Sequence, residues 1–181
     1  MEKSQQNWLI KKAQLDHLPG IYAIARSYDC DQLIQSDNMQ DGFLVSAYSE
    51  DLYTRFLTES DHFYVALEDN VVIGFLLAFS RDLIPELDWV GTQMKSRDQR
   101  PFILIKQGAV LRSHLGKGVA MLFFQFLADY SKHQPLISVT VADPPNPRSV
   151  GLHKKLGFKK VWEVTPPDGM PRDVWCREPK V

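Results

Sequence analysis

The stretch from residue 102 to residue 131 constrains the fold of this chain more than any other. It begins with a mostly apolar run, passes through a turn that contains Gly116 and Gly118, and ends in a segment with periodic apolar residues. The apolar positions 119, 122, 123, 126, 127 and 130 lie on one face of an α-helix. The pattern therefore predicts a strand over 102–111, a glycine turn, and a helix that begins near Val119.

The rest of the chain mixes strand and helix patterns. We predict strands at 8–12, 62–67, 71–79, 136–141, 160–164 and 173–176, and helices near Asp16, after the N-cap Ser49, and over 148–156. Asp69-Asn70 predicts a hairpin turn, and Gly108 indicates a bulge or a close backbone approach in its strand, unless it is an ordinary strand glycine. Residues 80–100 fit no single regular element and form a long connection. This order predicts an α/β fold built around one mixed sheet.

Composition excludes several classes of protein. A chain of 181 residues is expected to form one domain over 1–181. Its net charge of −1 and apolar fraction of 44% argue against disorder and against a strongly basic nucleic-acid binder. No apolar run approaches the ~20 residues of a membrane span, and the first residues lack a signal-peptide core, so we expect no membrane partner. The two cysteines favour a cytoplasmic location, and the five histidines lack metal-ligand spacing, so no metal is expected.

The glycine turn has three interpretations. Glycines before a helix expose backbone N–H groups that suit a phosphate anion. A Walker A loop requires a glycine where Leu111 stands and Ser or Thr where Gly118 stands, and a dinucleotide fingerprint requires a third glycine where Met121 stands. From these residues alone, a plain strand–helix turn is as well supported as an anion site.

Two segments together resemble the GNAT superfamily of acetyl-CoA-dependent N-acetyltransferases. Family members carry a turn of the pattern [Gln/Arg]-x-x-Gly-x-[Gly/Ala], where x is any residue. In this chain Gly118 and Ala120 match the pattern, and Leu115 stands at its first position in place of Gln or Arg. A second family motif is an Asn before a helix, followed by Leu-Tyr, three residues, and Gly-Phe. The chain matches this motif at Asn146, Leu152, Gly157 and Phe158, with His153 in place of the Tyr.

The resemblance implies a GNAT-type fold, with a mixed, mostly antiparallel sheet flanked by helices and a splayed pair of parallel strands. Those strands would be 102–111 and 136–141, with the arm of acetyl-CoA, the acetyl donor, between them. A primary amine would attack the thioester directly. The cofactor-binding residues that the resemblance implies are Val110, Leu111, Arg112, Leu115, Gly116, Lys117, Gly118, Val119, Ala120, Asn146, Ser149 and His153.

His153 is the candidate catalytic residue. The family tyrosine donates a proton to the leaving thiolate, and an imidazole at this position is able to do the same. The alternative is a helix residue that packs or hydrogen-bonds locally. The residues do not identify the general base that would take a proton from the amine. Lys106 and Gln107 occupy the area where many family members carry an acid, and neither is a ready base. Other candidates are ordered water, Glu86, Asp88, His114 and Asp173.

The acceptor, a small-molecule or peptide amine, would bind outside the motifs, near 27–43, 80–100 and 165–171. Candidates for an apolar wall are Tyr28, Trp89, Met94 and Trp175, and candidates to attract a cationic amine are Asp29, Asp31, Glu86 and Asp88. Family members often pair through sheet edges, so the resemblance admits a homodimer. The alternatives to an N-acetyltransferase are a non-catalytic acyl-CoA-binding module of the same fold and a transferase for a longer acyl group or a hydroxyl acceptor.

The distribution of charge supports an anionic ligand near the two motifs. Residues 101–160 carry nine Lys and Arg against two acids, a net charge of +7. Because the whole chain has a net charge of −1, the remaining residues carry a net charge of −8. A basic segment beside an acidic remainder suits coenzyme A on one side and a cationic amine on the other.

Overall fold

The computed structural model describes residues 8–31, 33, 41–45, 47–131 and 133–179. Within these residues, seven strands form one open sheet: β1 (Leu9–Lys12), β2 (His62–Glu68), β3 (Val71–Ser80), β4 (Ile103–Val110), β5 (Leu136–Val141), β6 (Lys159–Val164) and β7 (Arg172–Arg177). Their order in the sheet is β1-β2-β3-β4-β5-β7-β6. Neighbouring strands are antiparallel except β4 and β5, which are parallel. The predicted mixed, mostly antiparallel sheet with one parallel pair is confirmed.

Helices cover both faces of the sheet. In the described part of the chain they are α1 (Leu18–Ser27), α2 (Glu50–Glu59), α3 (Trp89–Arg97), α4 (Val119–Ser131) and α5 (Pro147–Lys155). Ile21 of α1, Phe56 of α2 and Leu77 of β3 share one buried cluster, on what we call the front face. Phe123 of α4 and Leu76 of β3 share another cluster on the back face. Leu76 and Leu77 separate in this way because successive side chains of a strand point to opposite faces.

The turn and cap residues act as their chemistry predicts. The Ser49 side chain accepts a hydrogen bond from the Leu52 N–H and caps α2, which confirms this N-cap. Asp69 and Asn70 both have positive φ, at 49° and 65°, as a tight hairpin between twisted strands requires. Gly157 ends α5 with φ of +82°, and its N–H donates to the Lys154 carbonyl oxygen.

The connection predicted over 80–100 contains helix α3, preceded by a 3-10 turn at Arg81–Leu83. Only Gly91 and Met94 of α3 are buried, so the helix presents no periodic apolar face for a sequence pattern to reveal. Of the predicted loop over 27–43, residues 32 and 34–40 lie outside the described residues.

Strand β4 carries a bulge at Lys106. Ile105 pairs with Ala78 and Gln107 pairs with Leu77, so Lys106 is the extra residue between them. The prediction of a bulge at Gly108 was wrong, because Gly108 is in register with Leu76. A bulge lets two consecutive side chains point to one face, and Lys106 and Gln107 both reach the front face.

Candidate active site

A cleft opens where β4 and β5 separate. Their parallel register covers only three pairs, from Ile103 with Leu136 to Ile105 with Ser138. Beyond that point β4 stays bonded to β3 and β5 stays bonded to β7, so the two strands diverge. The resulting cavity of about 730 Å³ is lined from the front face by Tyr48 and from the back face by Phe124. A ligand in this cleft is therefore able to reach both faces of the sheet.

The glycine turn forms the wall of the cleft at the start of α4. Gly116 and Gly118 have φ of +77° and +106°, a region that side chains disfavour, and an added Cβ would meet no atom within 4 Å at either position. The first hydrogen bond of α4 runs from the Leu122 N–H to the Gly118 carbonyl. The N–H groups of residues 118–121 thus have no acceptor within the helix, and the first turn carries no acidic residue. This arrangement suits a phosphate group.

Val110 presents its backbone to the cleft. The next residue, Leu111, donates its N–H to the Ile73 carbonyl of β3 at 2.7 Å, so the alternation of the strand turns Val110 toward β5. The Tyr28 hydroxyl donates to the Val110 carbonyl at 2.8 Å. The Val110 carbonyl therefore already has a partner within the chain.

Residues 41–45 cross from one side of the cleft to the other. The Asn146 side chain caps α5 by accepting from the Ser149 N–H at 3.2 Å, and its amide donates to the Phe43 carbonyl at 3.1 Å. Asp41 pairs with Arg112 at the end of β4 and with Arg148 in α5, at 3.1 and 3.4 Å. These contacts connect the two walls of the cleft.

His153 is buried on the back face and held at both ring nitrogens. Nδ1 lies 2.7 Å from the Ser149 carbonyl oxygen, which only accepts, so Nδ1 carries the proton. Nε2 then accepts from the Ser138 hydroxyl at 2.8 Å. Burial lowers the pKa of His153, so the neutral ring is favoured. Ser138, at the point where the strands part, also lines the cleft.

The front-face wall contains an ion pair at the bulge. Lys106 Nζ lies 2.6 Å from Asp88 Oδ2, and the two side chains are only 18% and 12% exposed. The other Asp88 oxygen caps α3 by accepting from the Gly91 N–H. Gln107 accepts a short hydrogen bond from the buried Tyr53 hydroxyl. Tyr48 lines the same wall, and burial raises its pKa, so its hydroxyl stays protonated.

The structure brings most of the predicted site residues to the cleft. Those that line it are Val110, Leu115, Gly116, Gly118, Val119, Ala120, Asn146, Ser149 and His153. Leu111, Arg112 and Lys117 do not line it. Leu111 packs against both hydrophobic clusters, and the Arg112 guanidinium lies over the Tyr28 ring at 4.6 Å.

The other candidates are scattered. Tyr28 lines the cleft, whereas Met94 and Trp175 are core residues and Trp89 is partly exposed away from it. His114 lines the cleft near the glycine turn and bonds Glu68 at 2.8 Å, and Asp173 pairs with Lys160. Asp29 accepts from the Ala47 N–H, and Glu86 is exposed. Asp88 does not itself line the cleft, but it pairs with Lys106, which does.

Sequence reasoning missed Ser138, Tyr48, Tyr53 and Asp41 as site residues. Ser138 and Thr140 are the two polar residues at buried positions of β5, and this is the one signal that marks Ser138. Tyr48 and Asp41 lie in segments without a periodic pattern, and Tyr53 lies on the buried side of α2, so only the folded chain shows where they meet.

Comparison with known proteins agrees with this geometry. The family model described as the acetyltransferase (GNAT) family matches residues 27–158. The chain therefore belongs to the GNAT acetyltransferase family.

One sequence relative supports the same assignment, and solved structures share the fold. An N-alpha-acetyltransferase of Sulfurisphaera tokodaii is 30% identical over 148 residues, which cover 76% of this chain and 78% of the relative. A GNAT-family acetyltransferase from Streptococcus agalactiae superposes with a TM-score of 0.71 at 17% identity, covering 97% and 98% of the two chains. A chain of the NatC complex bound to Gag peptide and CoA gives 0.66 at 15% identity, covering 96% and 99%.

Among the described residues, no helix combines the length and hydrophobicity that crossing a bilayer requires.

Proposed function

We propose that this protein transfers an acetyl group from acetyl-CoA to a primary amine, and that the α-amino group of a polypeptide is the first acceptor to test. The observation that carries the proposal is the cleft between β4 and β5, which begins at the N-terminus of α4 and opens to both faces of the sheet. The N-alpha-acetyltransferase relative supports the choice of acceptor.

The residues of the cleft fit coenzyme A. The N–H groups of residues 118–121 would hold the pyrophosphate, and the open space beside Gly116 and Gly118 lets a phosphate approach the backbone. The diverging backbones of β4 and β5 would bond the pantetheine arm, with the Val110 N–H among the donors. Acetyl-CoA supplies the activated acyl group, and this part of the chain binds and orients it.

The acceptor amine would approach from the front face, between Tyr48 and the Lys106–Asp88 pair. An amine attacks only as the neutral base, so a group on this wall has to take a proton from it. Asp88 is the carboxylate paired with Lys106 of this wall, and we propose that it receives this proton through water. Backbone N–H groups of β4 near the bulge would stabilise the oxyanion that forms on the acetyl carbonyl.

We propose that His153 supports departure of the thiolate from the back face. Its Nδ1–H is committed to Ser149, so the hydroxyl of Ser138 is the group that it offers to the cleft. The Ser138 hydroxyl would turn from Nε2 to donate a hydrogen bond to the leaving thiolate, with the ring of His153 positioning it, and the proton that sulfur takes up would come from solvent. Loss of the imidazole should then lower turnover more than it weakens acetyl-CoA binding.

The same contacts favour a second candidate function. Both ring nitrogens of His153 are engaged in hydrogen bonds, and the amide Gln107 stands where many relatives carry an acid. The fold is therefore also suited to hold an acyl-CoA without turnover. A thermal-shift titration with acetyl-CoA, followed by thiol-release assays with peptide, amino-acid and polyamine amines, separates the two. Stabilisation with turnover supports the enzyme, and stabilisation without turnover of any amine supports the binding module.

A further inference from the structure

Lys106 places a primary amine of the chain itself on the acceptor wall of the cleft. The bulge in β4 directs its side chain to the front face, where an acceptor amine would have to approach. The side chain is only 18% exposed, so contacts with the surrounding residues hold it in place.

The partner of Lys106 is the group that this amine needs to become a nucleophile. Asp88 Oδ2 lies 2.6 Å from Nζ and is almost fully buried, while Asp88 Oδ1 is anchored on the N–H of Gly91. This carboxylate is the nearest acceptor for the proton that the ammonium has to lose before the amine can attack. The pair therefore has the composition of an amine acceptor with its base.

Among the described lysines, only Lys106 and Lys155 line the cleft. Lys155 is exposed at the end of α5 on the back face, where the nucleotide half of coenzyme A would lie. Lys106 is thus distinguished by its burial and by its position beside the strand separation.

We propose that Lys106 is a site of self-acetylation, an inference that rests on the proposed function because acetyl-CoA supplies the acyl group. The neutral ε-amine attacks the thioester carbonyl carbon, so an N–C bond forms and the C–S bond breaks. One proton passes from the ammonium to Asp88, and the proton lost from nitrogen as the amide forms is taken up by the thiolate. The products are Nε-acetyl-lysine and coenzyme A, with no oxidation or reduction.

The modification changes the charge of the acceptor wall. Acetylation removes the positive charge of Lys106 and leaves the Asp88 carboxylate without its cation. The wall then carries a net negative charge, which favours cationic amines over anionic ones. Self-acetylation would in this way alter which acceptors the enzyme uses.

Two variants test the nucleophile and the base separately. Lys106→Arg keeps the ion pair but removes the nucleophile. Asp88→Asn removes the base and retains a side chain that caps helices as well as Asp does. Lys95→Arg is the matched control, because Lys95 is also part-buried, lies on α3, and bonds the Ile84 carbonyl outside the cleft.

The experiment incubates the purified protein with acetyl-CoA and follows acetylation of each lysine by intact mass and peptide mass spectrometry. We expect Lys106 to be acetylated at least about tenfold faster than Lys95, since the bound donor is held beside it. The rate should saturate with acetyl-CoA and be independent of protein concentration. Lys106→Arg should abolish the fast phase, Asp88→Asn should slow it on the order of 100-fold, and Lys95→Arg should leave it unchanged.

The outcomes separate the two proposals. If acetyl-CoA stabilises the protein and amines are turned over, but Lys106 reacts no faster than Lys95, self-acetylation is overturned and the proposed function stands. If urea-unfolded protein labels Lys106 as fast as folded protein does, self-acetylation is overturned as well. If acetyl-CoA gives no thermal stabilisation, both proposals fail.

Discussion

Replacement of Gly118 by alanine should weaken acetyl-CoA binding more than it weakens the fold. Gly118 has φ of +106°, where a residue with a Cβ pays about 1–2 kcal/mol. An added Cβ would meet no atom within 4 Å, so backbone strain is the only penalty. Relief of that strain would turn the N–H groups at the start of α4 away from the cleft.

The size of the effect follows from the hydrogen bonds at stake. A bond from a backbone N–H to a charged phosphate contributes about 1.5–3 kcal/mol, so loss of one raises Kd between about 10-fold and about 150-fold. Isothermal titration calorimetry with acetyl-CoA measures this change, and urea unfolding measures the accompanying loss of stability.

Gly169→Ala is the matched control. Gly169 has φ of +80° and equally open surroundings, but it lies in the turn between β6 and β7. We expect a similar loss of stability and an unchanged Kd for acetyl-CoA. The reasoning is refuted if Gly118→Ala binds acetyl-CoA as tightly as the unmodified protein, or if Gly169→Ala weakens binding equally.

Three further predictions concern α5 and the buried histidines. His153→Phe should lower kcat at least about tenfold with little change in acetyl-CoA affinity, and unchanged turnover of a genuine substrate would exclude a role in proton donation. Asn146→Ala should lower the free energy of unfolding by about 1–2 kcal/mol, because both the cap of α5 and the bond to Phe43 are lost; an unchanged urea midpoint would contradict this. Burial lowers the pKa of His62 and His153, so below about pH 6.5 the unfolded chain binds more protons than the folded one. The urea midpoint should therefore fall as the pH drops from about 7 to about 5, and a midpoint that stays constant or rises would show that these rings are not held neutral.

Much of the fold follows from local patterns. The strand, glycine turn and helix around Gly118 were predictable because the periodicity of α4 is strong and the turn needs positive φ. Helix α5 was predictable from its Asn146 cap and its Gly157 terminus. In each case one short segment contains both the signal and its physical cause.

The front-face wall was less predictable, because its geometry depends on contacts between distant segments. The bulge at Lys106 arises from the register of β4 on β3. The sequence indicated Gly108 as the bulge position because it is the glycine within the strand. Tyr53 meets Gln107 across 54 residues of sequence, and no pattern in either segment encodes that contact. Likewise, both nitrogens of His153 are engaged only because Ser138 lies beside α5 in the folded chain.

The most direct test of the proposed function is acetyl-CoA-dependent thiol release measured with a library of peptides that differ at the N-terminal residue. We predict saturable release that depends on an unblocked α-amino group and yields one N-terminal acetyl group per thiol. Release no faster than hydrolysis without acceptor, across peptides, amino acids and polyamines, would contradict the assignment of this cleft as an N-acetyltransferase active site.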